Sequence, residues 1–127
     1  MKLKLKIINL EGVYFDGEVD LLNITIASGN VTILANHLPL ISNIEIYHMY
    51  TKNNGVIENY AIAGGTLFVT EKECKVITTA IERESEIDYE RALKAKERAM
   101  GRIKSNQADV ARAEVALKRA INRLSMK

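Results

Sequence analysis

The spacing of apolar residues changes near Ser85, and this change constrains the fold more than any other feature of the sequence. Before Ser85, apolar and polar residues alternate, as in Leu3, Leu5 and Ile7, which are separated by lysines. Alternation of this kind is typical of strands with one buried face. After Ser85, apolar residues recur at helical spacing among Ala, Glu, Lys and Arg. The sequence therefore predicts an α+β fold whose β-part precedes its helical part.

Turn residues divide the first part of the chain into short strands. Asp16-Gly17 and Asn54-Gly55 are predicted hairpin turns, because these residues accept the positive φ angles of tight turns. Gly64-Gly65 is predicted to form a tight turn or a bulge and not a phosphate-binding loop, since no Gly-Lys-Ser or Gly-Lys-Thr follows it. After an opening strand that contains Leu3, strands are predicted at Val13–Phe15, Val19–Ile26, Val31–Leu34, Ile44–Tyr50, Val56–Ala63, Thr66–Val69 and Lys75–Ile81. Such a series of short strands predicts an antiparallel β-sandwich or a flattened barrel over residues 1–84.

Residues 85–127 are predicted to form an antiparallel two-helix hairpin. The helices span Asp88–Lys104 and Asp109–Ser125, and Ser105-Asn106-Gln107 makes the reversal between them. Alanines on the facing sides allow the helices to approach closely, but they bury little apolar surface, which is worth about 25 cal/mol per Å². We therefore expect a hairpin that is marginally held and able to move.

The basic residues are unevenly distributed along the chain. Residues 1–82 contain six Lys, no Arg and nine acidic residues, a net charge of −3. Residues 83–127 contain seven Arg and five Lys against seven acidic residues, a net charge of +5. Because the guanidinium group binds phosphates and carboxylates through paired hydrogen bonds, this distribution suggests that the tail meets an anion. An ordinary solvated helical face explains it as well. Nucleic acid is disfavoured as the anion, because the segment holds a single aromatic residue, Tyr89, and many acids.

The sequence offers no pattern of an enzyme active site or a metal centre. Cys74 has no second cysteine to pair with, and neither it nor His37 nor His48 belongs to a metal-binding pattern. No nucleophile with a partner base stands out, so we predict no intrinsic enzymatic activity. The N-terminus lacks the apolar core of a signal peptide, and no apolar run approaches the ~18 residues of a membrane span. These features predict a soluble, cytoplasmic protein.

The segment Ile87-Asp88-Tyr89-Glu90-Arg91-Ala92 opens the first predicted helix. Asp88 is a good N-cap, because its carboxylate can accept a hydrogen bond from the backbone N–H of Arg91. A ligand-binding role for the segment is the alternative. The two roles are compatible with each other.

Five segments, taken in order, resemble the epsilon subunits of bacterial F-type ATP synthases: Phe15–Val19, Asn36–Leu40, Ala63–Val69, Ile87–Ala92 and Arg112–Leu124. The resemblance implies a β-sandwich followed by a helical hairpin, and a non-catalytic rotor subunit of the central stalk that couples the gamma subunit to the c ring. It also implies that the hairpin meets the alpha and beta catalytic subunits and inhibits ATP hydrolysis. The protein would lie on the cytoplasmic face of the membrane as a peripheral part of the complex, and would be a monomer when isolated.

The resemblance also implies site residues. No cofactor is required, but nucleotide-binding members of the family hold a regulatory ATP on the folded hairpin. The residues implied for ATP are Glu82, Ile87, Asp88, Arg91, Ala92, Arg98, Arg119 and Arg123. Those implied for the rotor interface are Ser28, Gly29, Asn30, His37, Leu38 and Pro39.

The spacing of the arginines is compatible with an anion site. Arg119 and Arg123 are four residues apart and share a helical face, and Arg91 and Arg98 are seven apart on the other helix. In an antiparallel hairpin the two pairs can converge on a phosphate. Ordinary surface ion pairs with Glu97 or Glu114 are the alternative. A stand-alone nucleotide-sensing or anion-binding module is the alternative function.

Overall fold

The computed structural model describes residues 1–105 and 110–126, and it contains a β-domain followed by two helices. The predicted order of strands and then helices is confirmed. The predicted reversal at Asn106-Gln107 and the predicted helix start at Asp109 lie outside the described residues. The elements are β1 (Leu3–Asn9), β2 (Gly12–Val19), β3 (Leu21–Ile26), β4 (Gly29–Ile33), β5 (Leu40–Asn53), β6 (Val56–Val69), β7 (Cys74–Ile77), β8 (Ile81–Arg83), a 3₁₀ turn (Glu84–Glu86), α1 (Tyr89–Ser105) and α2 (Val110–Leu124).

The strands are hydrogen-bonded in the order β2-β1-β7-β6-β5-β3-β4, and β8 pairs separately with β6. The described pairs are antiparallel except for β1 and β7, which run parallel with Leu5 opposite Cys74 and Ile7 opposite Val76. The alternation of a strand indicates which side chains are buried and not the direction of its neighbour, so the sequence did not reveal this pair. The predicted sandwich is otherwise confirmed.

Alternate side chains of the strands form one apolar core. Leu5 and Ile7 of β1, Ile24 of β3 and Leu67 of β6 are fully buried within it. Cys74 lies in the same cluster as a free thiol, and burial raises its pKa to about 12. The thiol therefore stays neutral at physiological pH and acts as a small apolar filler.

One of the two predicted hairpin turns is correct. Asn54 and Gly55, with φ angles of 53° and 80°, connect β5 to β6. Asp16-Gly17 is instead part of β2, with Asp16 opposite Lys6 and Gly17 opposite Leu5. A Cβ on Gly17 would lie 3.2 Å from the ring of Phe15, so this glycine makes room for an aromatic side chain rather than for a turn.

The predicted break at Gly64-Gly65 is wrong, because β6 runs unbroken from Val56 to Val69. Both glycines have positive φ angles, 85° and 131°. A Cβ on Gly65 would lie 2.0 Å from the carbonyl oxygen of Ile77, and Gly64 accepts a 2.6 Å hydrogen bond from Thr78. The glycine pair therefore permits close backbone approach where β6 changes its neighbour from β8 to β7.

Two other predicted strands are each divided in two. Val19–Ile26 contains the end of β2 and all of β3, separated by Asp20, and Lys75–Ile81 contains most of β7 and the start of β8. No helix in the described ranges 1–105 and 110–126 is long and apolar enough to cross a membrane.

Candidate functional site

The two helices pack against each other, and α2 also packs against β5 and β6. Four alanines are buried in this part of the molecule, Ala92 and Ala99 on α1 and Ala113 and Ala120 on α2. Small side chains at these positions permit the close helix approach that the sequence predicts. The region where α2 meets β5, β6 and β8 is called the seam below, and Glu82, Arg119 and Arg123 of the predicted ATP residues lie in it.

Asp88 is the N-cap of α1, as predicted. Its Oδ1 accepts a 3.0 Å hydrogen bond from the backbone N–H of Arg91, and its carbonyl accepts one of 3.0 Å from Ala92. The preceding residue, Ile87, is buried in a small apolar cluster with Ala61 of β6 and Met126. The motif at the start of α1 therefore caps the helix and also attaches it to the sandwich.

An ion pair joins α2 to β8 across the seam. The Nε of Arg123 lies 2.5 Å from Oε1 of Glu82, and both side chains are about two-thirds buried. Two of the predicted ATP residues are therefore already paired with each other. A phosphate that binds Arg123 at this position has to compete with a carboxylate.

Asn122 makes the most buried polar contacts of the seam. Its Nδ2 donates to the backbone carbonyls of Tyr47 at 3.0 Å and Ile62 at 3.4 Å, which are register partners on β5 and β6. Ser125 Oγ donates to the carbonyl of Asn122 at 2.7 Å and lies 2.7 Å from Nε2 of His48. The single hydroxyl proton of Ser125 is used in the bond to the carbonyl of Asn122. The Nε2–H of His48 is therefore the donor to Ser125 Oγ.

Arg119 and Arg123 line a small pocket in the seam. Its empty volume is about 180 Å³, below the roughly 300–1,000 Å³ of typical ligand pockets. The other lining residues are Ile46, Ala61, Ile62, Ala63, Ala80 and Asn122. Two buried atoms here, Nε of Arg119 and Oδ1 of Asn122, have no hydrogen-bond partner within the described part of the chain.

The structure unites some of the predicted ATP residues and separates others. Arg119 and Arg123 share the seam pocket, and Glu82 reaches it through its pair with Arg123. Arg91 and Arg98 are exposed on α1, and within residues 1–105 and 110–126 no side-chain bond or ion pair joins them to that group. The arrangement thus provides two basic groups, one partly buried on α2 and one exposed on α1.

Sequence reasoning missed a second polar cluster, at the junction between β8 and the 3₁₀ turn. The guanidinium of Arg83 lies 5.2 Å from the ring centroid of Tyr14 and 5.9 Å from that of Tyr60. It also pairs with Glu58 at 3.2 Å and with Glu86 at 3.6 Å. The hydroxyl of Tyr14 donates a hydrogen bond to Glu86. Burial is the larger cause of the raised pKa of Tyr14, and this hydrogen bond raises the pKa further.

The missed residues left weak signals in the sequence. Asn122 has low helix propensity, which marks it as unusual near the end of α2. Arg83 is the first arginine of the chain and stands at the boundary between the two patterns. Asn122 lies 75 residues from Tyr47, and Tyr14 and Glu86 of the second cluster are 72 residues apart, so only the fold identifies these contacts.

The predicted rotor-interface residues fall into two exposed groups. Ser28, Gly29 and Asn30 form the turn into β4, where Asn30 and Asn23 exchange side-chain hydrogen bonds of 2.8 and 2.9 Å. His37, Leu38 and Pro39 follow β4, and the side chain of Leu38 is 77% exposed. The groups therefore flank β4, which is roughly 15 Å long at the usual rise of a strand.

Comparison with known proteins covers the whole chain. A family model described as "ATP synthase, Delta/Epsilon chain, beta-sandwich domain" matches residues 2–84, and one described as "ATP synthase, Delta/Epsilon chain, long alpha-helix domain" matches residues 85–127. The "ATP synthase epsilon chain" of Bacillus velezensis is 35% identical over 126 residues, which are 98% of this chain and 96% of the relative. That of Levilactobacillus brevis is 36% identical over 129 residues, covering 98% and 93%.

Solved structures with a similar fold include chains of two mitochondrial ATP synthases determined by cryo-EM. A chain of the Euglena gracilis mitochondrial ATP synthase, from a structure of "OSCP/F1/c-ring in rotational state 1", aligns with a TM-score of 0.76 and 24% identity, over 92% of this chain and 76% of that one. A chain of the Tetrahymena thermophila mitochondrial ATP synthase, from a structure of the "central stalk/cring", aligns with a TM-score of 0.57 and 13% identity, over 68% and 69%. At these levels of identity, both alignments are evidence for the fold alone.

Proposed function

The chain belongs to the ATP synthase delta/epsilon chain family, and on that premise we propose that it is a non-catalytic rotor subunit in the central stalk of a proton-translocating F-type ATP synthase. The observation that carries the proposal is the match of both family domains, in order, together with full-length relatives named as epsilon chains. The chain is then a peripheral part of the complex on the cytoplasmic face of the membrane. Its partners are the gamma subunit, the c ring and the alpha and beta subunits.

The sandwich carries the rotor contacts in this proposal. The turn at Ser28-Gly29-Asn30 meets the c ring, and the loop at the other end of β4 meets gamma, which matches their separation on the domain. An exposed apolar stripe is a further candidate for the gamma contact, because Val13, Ile8 and Ile77 are register neighbours on β2, β1 and β7 and Val13 and Ile77 are exposed. Exposed apolar groups that are adjacent in this way commonly mark an interface.

The assignment of that stripe is tested with matched substitutions in the full chain. Val13→Lys places a charge in the stripe and should reduce copurification with gamma at least tenfold. Val56→Lys, at a similarly exposed valine beside the β5–β6 turn, should leave copurification with gamma unchanged. Equal retention of gamma by both variants would place the gamma contact elsewhere on the sandwich.

The hairpin regulates ATP hydrolysis by leaving the docked arrangement and inserting toward the catalytic subunits. ATP stabilises the docked form, since Arg119 and Arg123 on α2 and Arg91 and Arg98 on α1 can all face phosphate only when the hairpin is folded. A ligand shifts such an equilibrium by its differential affinity, and a 100-fold preference corresponds to about 2.7 kcal/mol. A hairpin held by an apolar cluster as small as that of Ile87 can respond to this difference.

ATP binding is tested by calorimetric titration of the purified chain. Arg123→Ala should weaken ATP binding about tenfold or more, because it removes a charged donor from the proposed site. Lys118→Ala, an exposed charge on the same helix, should leave the affinity within twofold. Absence of ATP-dependent heat or of a thermal shift at millimolar nucleotide would leave Asp88 and its neighbours as a helix cap alone.

The alternative, a stand-alone nucleotide-sensing or anion-binding module, rests only on the segregation of arginine. Family membership over residues 2–84 and 85–127 accounts for the same segregation and for the sandwich as well. We therefore retain the rotor subunit as the proposed function.

A further inference from the structure

The last turns of α2 contact the sandwich mainly through polar groups. Asn122 donates to the carbonyls of Tyr47 and Ile62, Arg123 pairs with Glu82, and Ser125 bonds with His48. Asn122 and Arg123 at the end of α2 and Ser125 just after it are thereby attached to β5, β6 and β8. Asn122 is 7% exposed, so its bonds are made away from water.

The apolar part of the same contact is small. Its buried members are Ala61, Ile87 and Met126, with Tyr89 packed against them. Apolar burial is non-directional and roughly proportional to area, so a cluster of this size does little to select one position of α2 over another. Directional hydrogen bonds have to provide that selection.

The hydrogen bonds of Asn122 select one register of α2. Tyr47 and Ile62 are opposite each other on β5 and β6, and Asn122 reaches both carbonyls at once. A shift of α2 by about one turn would place Lys118 or Met126 near that pair. Lysine would bring a charge to a buried position, and methionine has no donor.

The docked arrangement also contains two buried polar atoms without partners among the described residues. Nε of Arg119 is a donor and Oδ1 of Asn122 is an acceptor, and both residues line the seam pocket. A buried polar group without a hydrogen bond destabilises the state that buries it, because that group is hydrated when the helix leaves the surface. The seam therefore combines bonds that favour docking with atoms that oppose it.

We propose that the seam is a balanced polar lock, in which Asn122 and Ser125 hold the hairpin in one docked register and the buried, unpaired Nε–H of Arg119 opposes docking. The population of undocked hairpin in the absence of nucleotide is then set by these side chains. The inference depends on the docked geometry alone, and it stands whether or not the chain binds ATP or inhibits hydrolysis.

Thiol labelling of the full-length chain without nucleotide measures the lock. Ala61→Cys places a thiol at a position that is 5% exposed and covered by Ile87 and Met126, so its labelling rate reports undocking. Cys74, fully buried in the sandwich core, reports global unfolding in the same molecule. All further variants are compared in this Ala61→Cys background.

The proposed lock predicts that substitutions of its residues change the labelling rate at position 61 in opposite directions. Asn122→Ala should raise the labelling rate at position 61 about tenfold, which corresponds to about 1.4 kcal/mol, and Ser125→Ala should raise it severalfold. Arg119→Met keeps an unbranched stem and removes the unpaired Nε, so it should lower that rate severalfold. Labelling of Cys74 should stay constant in all three variants.

Two matched controls separate the lock from general effects on α2. Lys118→Met removes the same charge from an exposed neighbour, and Ile121→Ala removes apolar surface from a residue that is about half exposed. Both should leave labelling at position 61 within twofold. Faster labelling with Arg119→Met, or unchanged labelling with both Asn122→Ala and Ser125→Ala, would overturn the proposal. If circular dichroism shows that Asn122→Ala loses helix content, the proposal is judged on the other two variants. Labelling at position 61 must then become faster with Ser125→Ala and slower with Arg119→Met.

Discussion

At the scale of single residues, Asp88 illustrates how one side chain can serve both a helix and a ligand. One carboxylate oxygen already accepts the backbone N–H of Arg91, and the residue remains exposed to solvent. The second oxygen is therefore accessible to solvent or ligand, so a cap and a nucleotide site are compatible in space. The two roles depend on different properties, because a cap needs an acceptor and an electrostatic role needs the charge.

Substitutions of Asp88 separate these roles. Asp88→Ala should destabilise the start of α1 by about 1 kcal/mol, since it removes the capping acceptor. Asp88→Asn keeps the capping acceptor and removes the charge, so it should destabilise the start of α1 by only a few tenths of a kcal/mol. Urea unfolding of the helices, followed by far-ultraviolet circular dichroism, measures the difference. Equal loss with both variants would show that the charge, and not the cap, stabilises α1.

The two glycines that differ most in surroundings give a second prediction at this scale. Gly65→Ala should destabilise the sandwich by more than ~3 kcal/mol, because the new Cβ would meet the backbone of Ile77 and Thr78 at a φ of 131°. Gly101→Ala adds a methyl to open space on α1 and should stabilise the helix by about 0.5–1 kcal/mol. Thermal unfolding of both variants tests the contrast, and a tolerated Gly65→Ala would contradict the close approach of β6 and β7.

At the scale of elements, the connection between sandwich and hairpin is anchored and not loose. Arg83 stacks on Tyr14 and Tyr60, and the carboxylate of Glu86 bonds both Arg83 and Tyr14. The polar anchor ends at Glu86, whereas Ile87 packs on Ala61 of β6 only through the small apolar cluster. We therefore expect the hairpin to rotate about the junction of Glu86 and Ile87 when it leaves the sandwich, so that Ile87 uncovers Ala61 and the 3₁₀ turn remains on the sandwich.

The pH dependence of stability tests this anchor. Because the pKa of Tyr14 is raised in the folded state, the unfolded chain releases the phenolic proton first as the pH increases. The contribution of Tyr14 is fully present below pH ~10, the pKa of an unfolded tyrosine, and declines above it. Urea unfolding between pH 8 and 11 should show a smaller loss of stability in Tyr14→Phe than in the unsubstituted chain. Parallel curves for the two proteins would contradict the hydrogen bond between Tyr14 and Glu86.

At the scale of the whole molecule, the sequence predicted what local patterns encode. Alternation around Leu5 predicted a buried strand face, Asn54-Gly55 predicted a turn, and Asp88 predicted a helix start, and the structure confirms all three. These features depend on residues that are near each other in the chain.

The features that the sequence did not predict depend on long-range contacts. The parallel pairing of β1 with β7 unites residues about 70 positions apart, and Asn122 finds its partners on β5 and β6. Asp16-Gly17 was misread because the ring of Phe15, and not a turn, explains the glycine. For the candidate site, the resemblance supplied the residue set, and the fold revealed that Glu82 and Arg123 are already paired.

Affinity purification of the tagged full-length chain from its own cells tests whether this chain is a rotor subunit of an ATP synthase. A rotor subunit should be recovered with gamma, the catalytic subunits and the c ring in constant ratio. The Val13→Lys variant should lose these partners, whereas Val56→Lys should retain them. Recovery of the unsubstituted chain without gamma and the catalytic subunits, under conditions that keep the ATP synthase intact, would show that the chain is not a rotor subunit.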